Sequence, residues 1–252
     1  MNQNMNQNSN IKLEALPYSY KTINRLGVSS DARAELGVYI SDSAKHLQAV
    51  PAEDILCLIV REGSVIPFDF RVPIYTVSVA WFNRIKQTKH AQGILAIIRK
   101  PTWRLTAEYR YWVVCDTVQN PGNLGAIIRS VSAFLPNAIL ACCGGGSDAF
   151  HPDCVRASAG LVHGQPVVNL ADNSLPLDRL WYALDPRGTH ALNSLKQEKK
   201  LGIILGSEGH GIRESLHQHC QPVPIRIPTR PHVESLNVAV TAGIIAAHLS
   251  PV

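Results

Sequence analysis

Long apolar runs are missing from this 252-residue sequence. None approaches the roughly 20 residues a membrane helix needs, which argues against a helical membrane protein. The six cysteines form no C-x-x-C pair. That excludes a small secreted disulfide framework and leaves zinc without its paired ligands. A zinc site from His151-Pro152-Asp153-Cys154 with Cys142 or Cys143 fails on the same count. We expect free thiols in a reducing cytoplasm and no metal. The opening MNQNMNQNSN has no basic cluster and no apolar segment, so it lacks the form of a secretory signal. No G-x-S-x-G supports a serine hydrolase. No internal repeat is visible. Hydrophobic residues at 46% and charged residues at 17% exclude a disordered chain, a collagen and a coiled coil. The length suffices for a core without disulfides or metal.

What is present is unevenly spread. Residues 1–107 hold 13 Lys/Arg against 8 Asp/Glu, and residues 108–252 hold 11 of each, so the whole surplus of +5 lies in the first part. Such asymmetry points to an anionic partner for the basic part or to a solvated surface. Arg84, Lys86, Lys89, Arg99, Lys100 and Arg104 cluster near its end.

Residues 1–10 read as a disordered tail. Residues 11–100 alternate between strand and helix patterns as a small α/β unit. It has strands at Leu36–Ile40, Asp54–Val60, Val72–Val77 and Gly93–Ile98, and helices at Ser43–Val50 and Ser78–Thr88. Residues 101–110 read as a linker. Residues 111–252 form a second α/β run. Its strands fall at Tyr111–Cys115, Ala138–Cys142, Trp181–Leu184, Leu201–Leu205 and Val223–Ile227. Its helices fall at Gly125–Leu135, Cys154–Gly160, Ile212–His217 and Ser235–Leu249. The strands are continuous apolar runs, as in a parallel sheet covered on both faces.

Three loops carry polar residues from a strand into a helix. In the first, Asn120-Pro121-Gly122 turns the chain and Asn123 stands as the expected N-cap. Ile127, Ile128, Val131 and Leu135 supply the core face. Arg129 leans back along the helix toward Gly125, which leaves it room, so a cation and a helix N-terminus face one pocket. The second loop, Gly206-Ser207-Glu208-Gly209-His210-Gly211, brings backbone close to a ligand. It is no Walker loop, because Ile212-Arg213 replace the Lys-Ser/Thr, and no dinucleotide fingerprint, because Glu214 stands where a third glycine belongs. The third runs from Ile227-Pro228 to Ser235-Leu236-Asn237, with Ser235 as the expected cap and Leu236, Val240, Ile244 and Ala247 as the core face. Taken singly, each loop is ordinary capping or turn chemistry. In a parallel sheet, however, all three meet at the carboxyl edge, where ligands bind.

Together these loops resemble the SpoU/TrmH family of the SPOUT superfamily, RNA ribose 2′-O-methyltransferases. Asn123, Gly125 (displaced within the same turn) and Arg129 match its first motif. Gly206, Glu208, Gly209 and Gly211 match the second. Ile227, Pro228, Ser235, Leu236, Asn237, Val238 and Val240 match the third, and Arg156-Ala157-Ser158-Ala159-Gly160 resembles a further family stretch. The resemblance covers residues 111–250. It implies a trefoil-knotted, mostly parallel α/β domain, a homodimer, and S-adenosylmethionine as methyl donor to RNA, ribosomal RNA ahead of transfer RNA. It implies donor contacts from Leu184, Gly206, Glu208, Ile227 and Leu236. It assigns catalytic roles to Arg129, Asn123, Glu208, Ser235 and Asn237, with Arg129 as proton acceptor or electrostatic stabiliser. Upstream, Ala91-Gln92-Gly93-Ile94-Leu95-Ala96 and Pro101 resemble the end of a small ribosomal-protein-like domain. The rival reading is a knotted RNA-binding or assembly factor without turnover, which failure to bind the donor would favour.

Overall fold

The computed structural model describes residues 16–88, 91–106, 108–195, 198–207 and 209–251. The expected tail at 1–10, Lys89 and Glu208 lie outside these residues. The chain divides into two compact units, one ending at Lys100 and the other starting at Pro101.

The first unit opens with two helices that the strand–helix pattern did not signal, α1 (Tyr20–Val28) and α2 (Ser30–Leu36). Ser29 separates them and serves both. Its N–H donates to Arg25 O at the end of α1, and its hydroxyl accepts from Ala32 N–H at the start of α2. Gly37, at φ +63, ends α2, so the expected strand at Leu36 begins at β1 (Val38–Ser41). There follow α3 (Ala44–Leu47), β2 (Ile55–Arg61), β3 (Ile74–Val77), α4 (Val79–Phe82) and β4 (Ile94–Arg99). The helix expected over Ser78–Thr88 contracts to α4, a single turn. The sheet order is β1-β4-β2-β3, antiparallel except for β2 with β3. Ile23 and Leu26 of α1 and Phe82 of α4 pack onto Ile40, Ile59, Leu95 and Ile97 of the sheet.

The second unit contains β5 (Tyr111–Asp116), α5 (Pro121–Phe134), β6 (Ala138–Cys143), α6 (Pro152–Ala157) and β7 (Val167–Asn169). It continues with β8 (Leu180–Leu184), β9 (His190–Ala191), β10 (Leu201–Leu205), α7 (Glu214–Cys220), β11 (Val223–Arg226) and α8 (Val238–Leu249). Its strands run β7-β6-β5-β10-β8-β11-β9, every neighbouring pair parallel. Every residue of β5, β6 and β10 is buried, as their apolar runs require, and the burial includes Asp116 at the end of β5. Trp112, Val114, Ile139 and Ile204 pack with Leu216 and Cys220 of α7. The adjacent Tyr111 points the other way, and its hydroxyl donates to Leu249 O at the end of α8. Helices therefore cover both faces. Short β7 and β9 have no counterpart in the sequence pattern.

All six cysteines are free and buried. Burial pushes Cys142 and Cys143 up to about 12, and Cys57 and Cys220 up to about 11. Among the described residues, no helix is long and apolar enough to cross a membrane.

Candidate active site

The loops after β5, β10 and β11 leave the same edge of the second sheet. The sheet order explains why they meet. β10 lies beside β5, and only β8 separates it from β11. A cavity of about 380 Å³ opens at this edge, within the usual range for small-molecule sites. Leu184, Leu205, Ile225, Ile227, Leu236 and Val238 give it apolar walls, and Asp185, Ser207, His210, Thr229, Glu234 and Ser235 add polar groups. The cavity thus gathers Leu184, Gly206, Ile227 and Leu236, all four described residues expected to hold a donor, together with Ser235.

Its glycine-loop wall is shaped by backbone. Ser207 and Gly211 pair through both N–H···O bonds, at 3.0 and 3.1 Å, folding the loop into a tight turn. Gly211 takes φ +68. A Cβ on Gly206 would lie 2.4 Å from the Gly211 carbonyl carbon, so only glycine permits this closure.

Asparagines hold the other part of the site. Asn120, not Asn123, caps α5. Its Oδ1 accepts from the N–H groups of Gly122 and Asn123 at 2.8 and 3.1 Å. Pro121 occupies the first helical turn, where its missing N–H costs nothing. Asn123 therefore sits inside the helix. Likewise Asn237, not Ser235, caps α8, its Oδ1 accepting from Ala239 and Val240 N–H. That fixes the amide's direction, and Asn237 Nδ2 donates to Asn123 Oδ1 at 3.2 Å. Two residues 114 apart in sequence are thereby joined.

Arg129 belongs neither to the cavity wall nor to this pair. It faces solvent from α5 and makes no hydrogen bond or ion pair among the described residues. Gly125 does not serve as its berth. A Cβ there would meet Cys154 O at 2.5 Å, Ala157 Cβ at 2.7 Å and Ser158 N at 3.0 Å. The space is filled by α6, and the Arg156–Gly160 stretch supplies its small residues. His151 caps α6 through Nδ1, accepting from Asp153 N–H.

The sequence reading missed one cluster. Asp116, fully buried, accepts from Arg213 N–H at 2.7 Å and from Arg213 Nε at 2.6 Å. Arg213 Nη2 donates to Asp172 at 2.7 Å, and Ser215 donates to the same carboxylate at 2.6 Å. Burial pushes Asp172 up, but the hydrogen bonds from Arg213 and Ser215 prevail and hold its carboxyl below the ordinary value. The hydrogen bond to Asp172, against the opposing effect of burial, raises Arg213. A charged residue ending an apolar strand, Asp116, was the available signal.

Residues 110–247 match the SpoU rRNA methylase family. Over 199 residues the chain is 30% identical to the 23S rRNA (guanosine(2553)-2′-O)-methyltransferase RlmP of Bacillus subtilis, covering 76% of this chain and 79% of that one. Over 138 residues it is 36% identical to the 23S rRNA (guanosine-2′-O-)-methyltransferase RlmB of Xylella fastidiosa, covering 52% of this chain and 55% of RlmB. The crystal structure of the SpoU methyltransferase AviRb from Streptomyces viridochromogenes, in complex with AdoMet, superposes with a TM-score of 0.77 at 18% identity, covering 91% of this chain and 96% of that one. That likeness shows the shared α/β fold with its mostly parallel sheet. The family match alone spans more than half of the sequence, and the chain belongs to the SpoU rRNA methylase family.

Proposed function

We propose that this protein transfers a methyl group from S-adenosylmethionine to a ribose 2′-hydroxyl of ribosomal RNA. The carrying observation is the cavity at the sheet edge, which draws Leu184, Gly206, Ile227 and Leu236 onto one wall system in a chain of this family. RlmP and RlmB, by their names, both methylate a guanosine 2′-oxygen in 23S rRNA.

The cavity suits the donor's chemistry. Leucine and isoleucine side chains accept a flat base, exposed backbone groups of the Gly206–Ile212 turn can read its edge, and Asp185 and Glu234 can accept from hydroxyl or ammonium groups. When bound, the donor supplies an electrophilic methyl on sulfonium. The chain's own residues then position the acceptor. Asn123, its amide oriented by Asn237, holds the ribose. Arg129 stabilises the developing 2′-oxyanion and a neighbouring phosphate through its guanidinium donors. Placement of the two reactants supplies much of the acceleration.

Three further elements complete this reading. The second unit carries the trefoil knot its family implies, and residues 11–100 are a ribosomal-protein-like domain that holds RNA through their basic surplus. The chain is a homodimer. Its support is an uncovered apolar face on α8, where Val240 is 51% exposed and Ala247 also faces solvent. Free thiols fit the cytoplasm, where we place the protein.

The test incubates the protein with labelled donor and total RNA from a strain lacking the gene, and maps the product by mass spectrometry. A ribose-methylated rRNA fragment is expected. Arg129→Ala should abolish turnover yet keep donor affinity by calorimetry, because Arg129 is not part of the cavity wall. Base methylation as the only product, or lost donor affinity in that variant, defeats the proposal.

A further inference from the structure

One side chain spans the carboxyl edge of the second sheet. Arg213 follows β10, yet its guanidinium reaches Asp116 at the end of β5 and Asp172 beyond β7. Between them it passes the backbone of Gly144, just after β6. A Cβ on that glycine would lie 2.7 Å from the guanidinium carbon. In sheet order β7-β6-β5-β10, Arg213 therefore ties the ends of four adjacent strands.

Arg213 is not among the described residues lining this cavity, but its two preceding residues, Gly211 and Ile212, both line it. The turn they finish is anchored at its entrance by β10. Its exit is anchored by Arg213, whose own N–H and Nε grip both oxygens of Asp116. From Asp116 the chain runs through Thr117, at φ +51, to Asn120 and Asn123. The same carboxylate thus joins the start of the asparagine loop to the end of the glycine turn.

A buried ion pair is weak ground for stability, since apolar residues of similar size often do as well. Here the pair has a demanding geometry instead. One group must donate to two carboxylates in different directions and pass close to a glycine that has no room for a Cβ. A guanidinium's rigid fork fixes both directions, which an ammonium on a flexible stem does less well.

We propose that Arg213 is a positioning residue for donor binding, held by Asp116 and Asp172 so that the Gly206–Ile212 turn keeps the shape of the donor wall. The proposal rests on reading the cavity as the donor site.

Arg213→Met alone is uninformative, because it strands a fully buried carboxylate. The test uses Asp116→Asn/Arg213→Met in the full chain, which removes both charges together, beside Arg213→Lys and Asp172→Asn. Donor Kd is measured by calorimetry, kcat at saturating donor, the urea midpoint, and hydrogen exchange at Gly211 and Ile212. The double variant should keep its midpoint, bind donor at least tenfold more weakly, exchange these amides faster, and lose kcat as well, because Asp116 also holds the start of the asparagine loop. Arg213→Lys and Asp172→Asn should lose affinity to smaller degrees. Unchanged affinity and exchange in the double variant overturn the proposal. So does an affinity loss that merely follows the midpoint across the three variants. If the unaltered protein fails to bind donor, the methyl-transfer reading falls. Exchange at Gly211 and Ile212 still decides whether Arg213 shapes the turn.

Discussion

Gly125→Ala separates two explanations of the same glycine with opposite signs. If Gly125 only left room for a long side chain, alanine would improve α5, because alanine exceeds glycine by about 0.8–1.0 kcal/mol in a helix interior. The packing says otherwise. The added Cβ would meet Cys154 O at 2.5 Å and Ser158 N at 3.0 Å, where ordinary contact begins near 3.4 Å. Both are backbone atoms of α6 or its end and cannot rotate aside. α5 and α6 must separate, and such overpacking costs about 1–3 kcal/mol. With two backbone contacts the upper half of that range applies, so about 1–2 kcal/mol of net destabilisation remains after the helix gain. Urea unfolding of the full chain, followed through Trp112 and Trp181 in the core of the second unit, reads this directly. At about 2 kcal/mol/M the midpoint should fall by roughly 0.5–1 M. Adding Ala157→Gly removes only the contact at 2.7 Å and leaves the carbonyl clash, so stability should not recover. A midpoint that rises in Gly125→Ala would refute the packing argument.

The remaining predictions concern the site and the thiols. Asn237→Asp keeps an N-cap of equal rank but replaces the Nδ2 donor with an acceptor, so the Asn123 amide must turn over. Stability should stay within about 0.5 kcal/mol while methyl transfer falls at least tenfold; full turnover would show that the pair does not orient the acceptor. The six thiols should resist a disulfide reagent at pH 8 in the native chain and all react once it is unfolded, and rapid native labelling counts against their burial. Because Cys142 and Cys143 are pushed up to about 12 from an ordinary 9.0, the unfolded chain binds fewer of these protons above that ordinary value. Their contribution is whole below pH 9.0 and lost as pH rises toward 12, so the urea midpoint should fall across that window.

Much of this architecture is visible in the sequence, and the exceptions have physical causes. Continuous apolar runs announce β5, β6 and β10, because strands buried on both faces need no polar alternation. The core face of α5 is legible because Ser130 and Ser132 interrupt its apolar residues and give the helix contrast. α8 offers none. Its sequence VAVTAGIIAAHL is apolar nearly all round, so the expected face of Leu236, Val240, Ile244 and Ala247 could not be told from the true one. The structure buries Val238, Ala242, Ile245, Ala246 and Leu249 instead. Two capping residues were misplaced for a related reason: Asn120 competes with Asn123, and Asn237 with Ser235, inside a single turn. Pro121 favoured Asn120, since proline fits best just after the cap. The Asp116–Arg213 pair joins positions 97 apart, and no local pattern records such a meeting.

The two parts of the site differ in what they demand of the sequence. The glycine-turn side of the cavity is set by main-chain closure, so its needs are negative: no Cβ at Gly206, and a left-handed residue at Gly211. Gly209 could change with little effect on that closure, while the Ser207 hydroxyl, accepting from His210 N–H, helps to hold it. The acceptor side is set by amides whose donors and acceptors must face given directions, so Asn123 and Asn237 cannot be exchanged for residues of similar size. Arg213 lies where these two kinds of construction join. Its backbone N–H belongs to the first and its guanidinium to the second, and both end on Asp116. A shift of that carboxylate would therefore move the donor wall and the start of the asparagine loop together. In-line transfer needs these two reactant positions held against each other more than it needs either held alone.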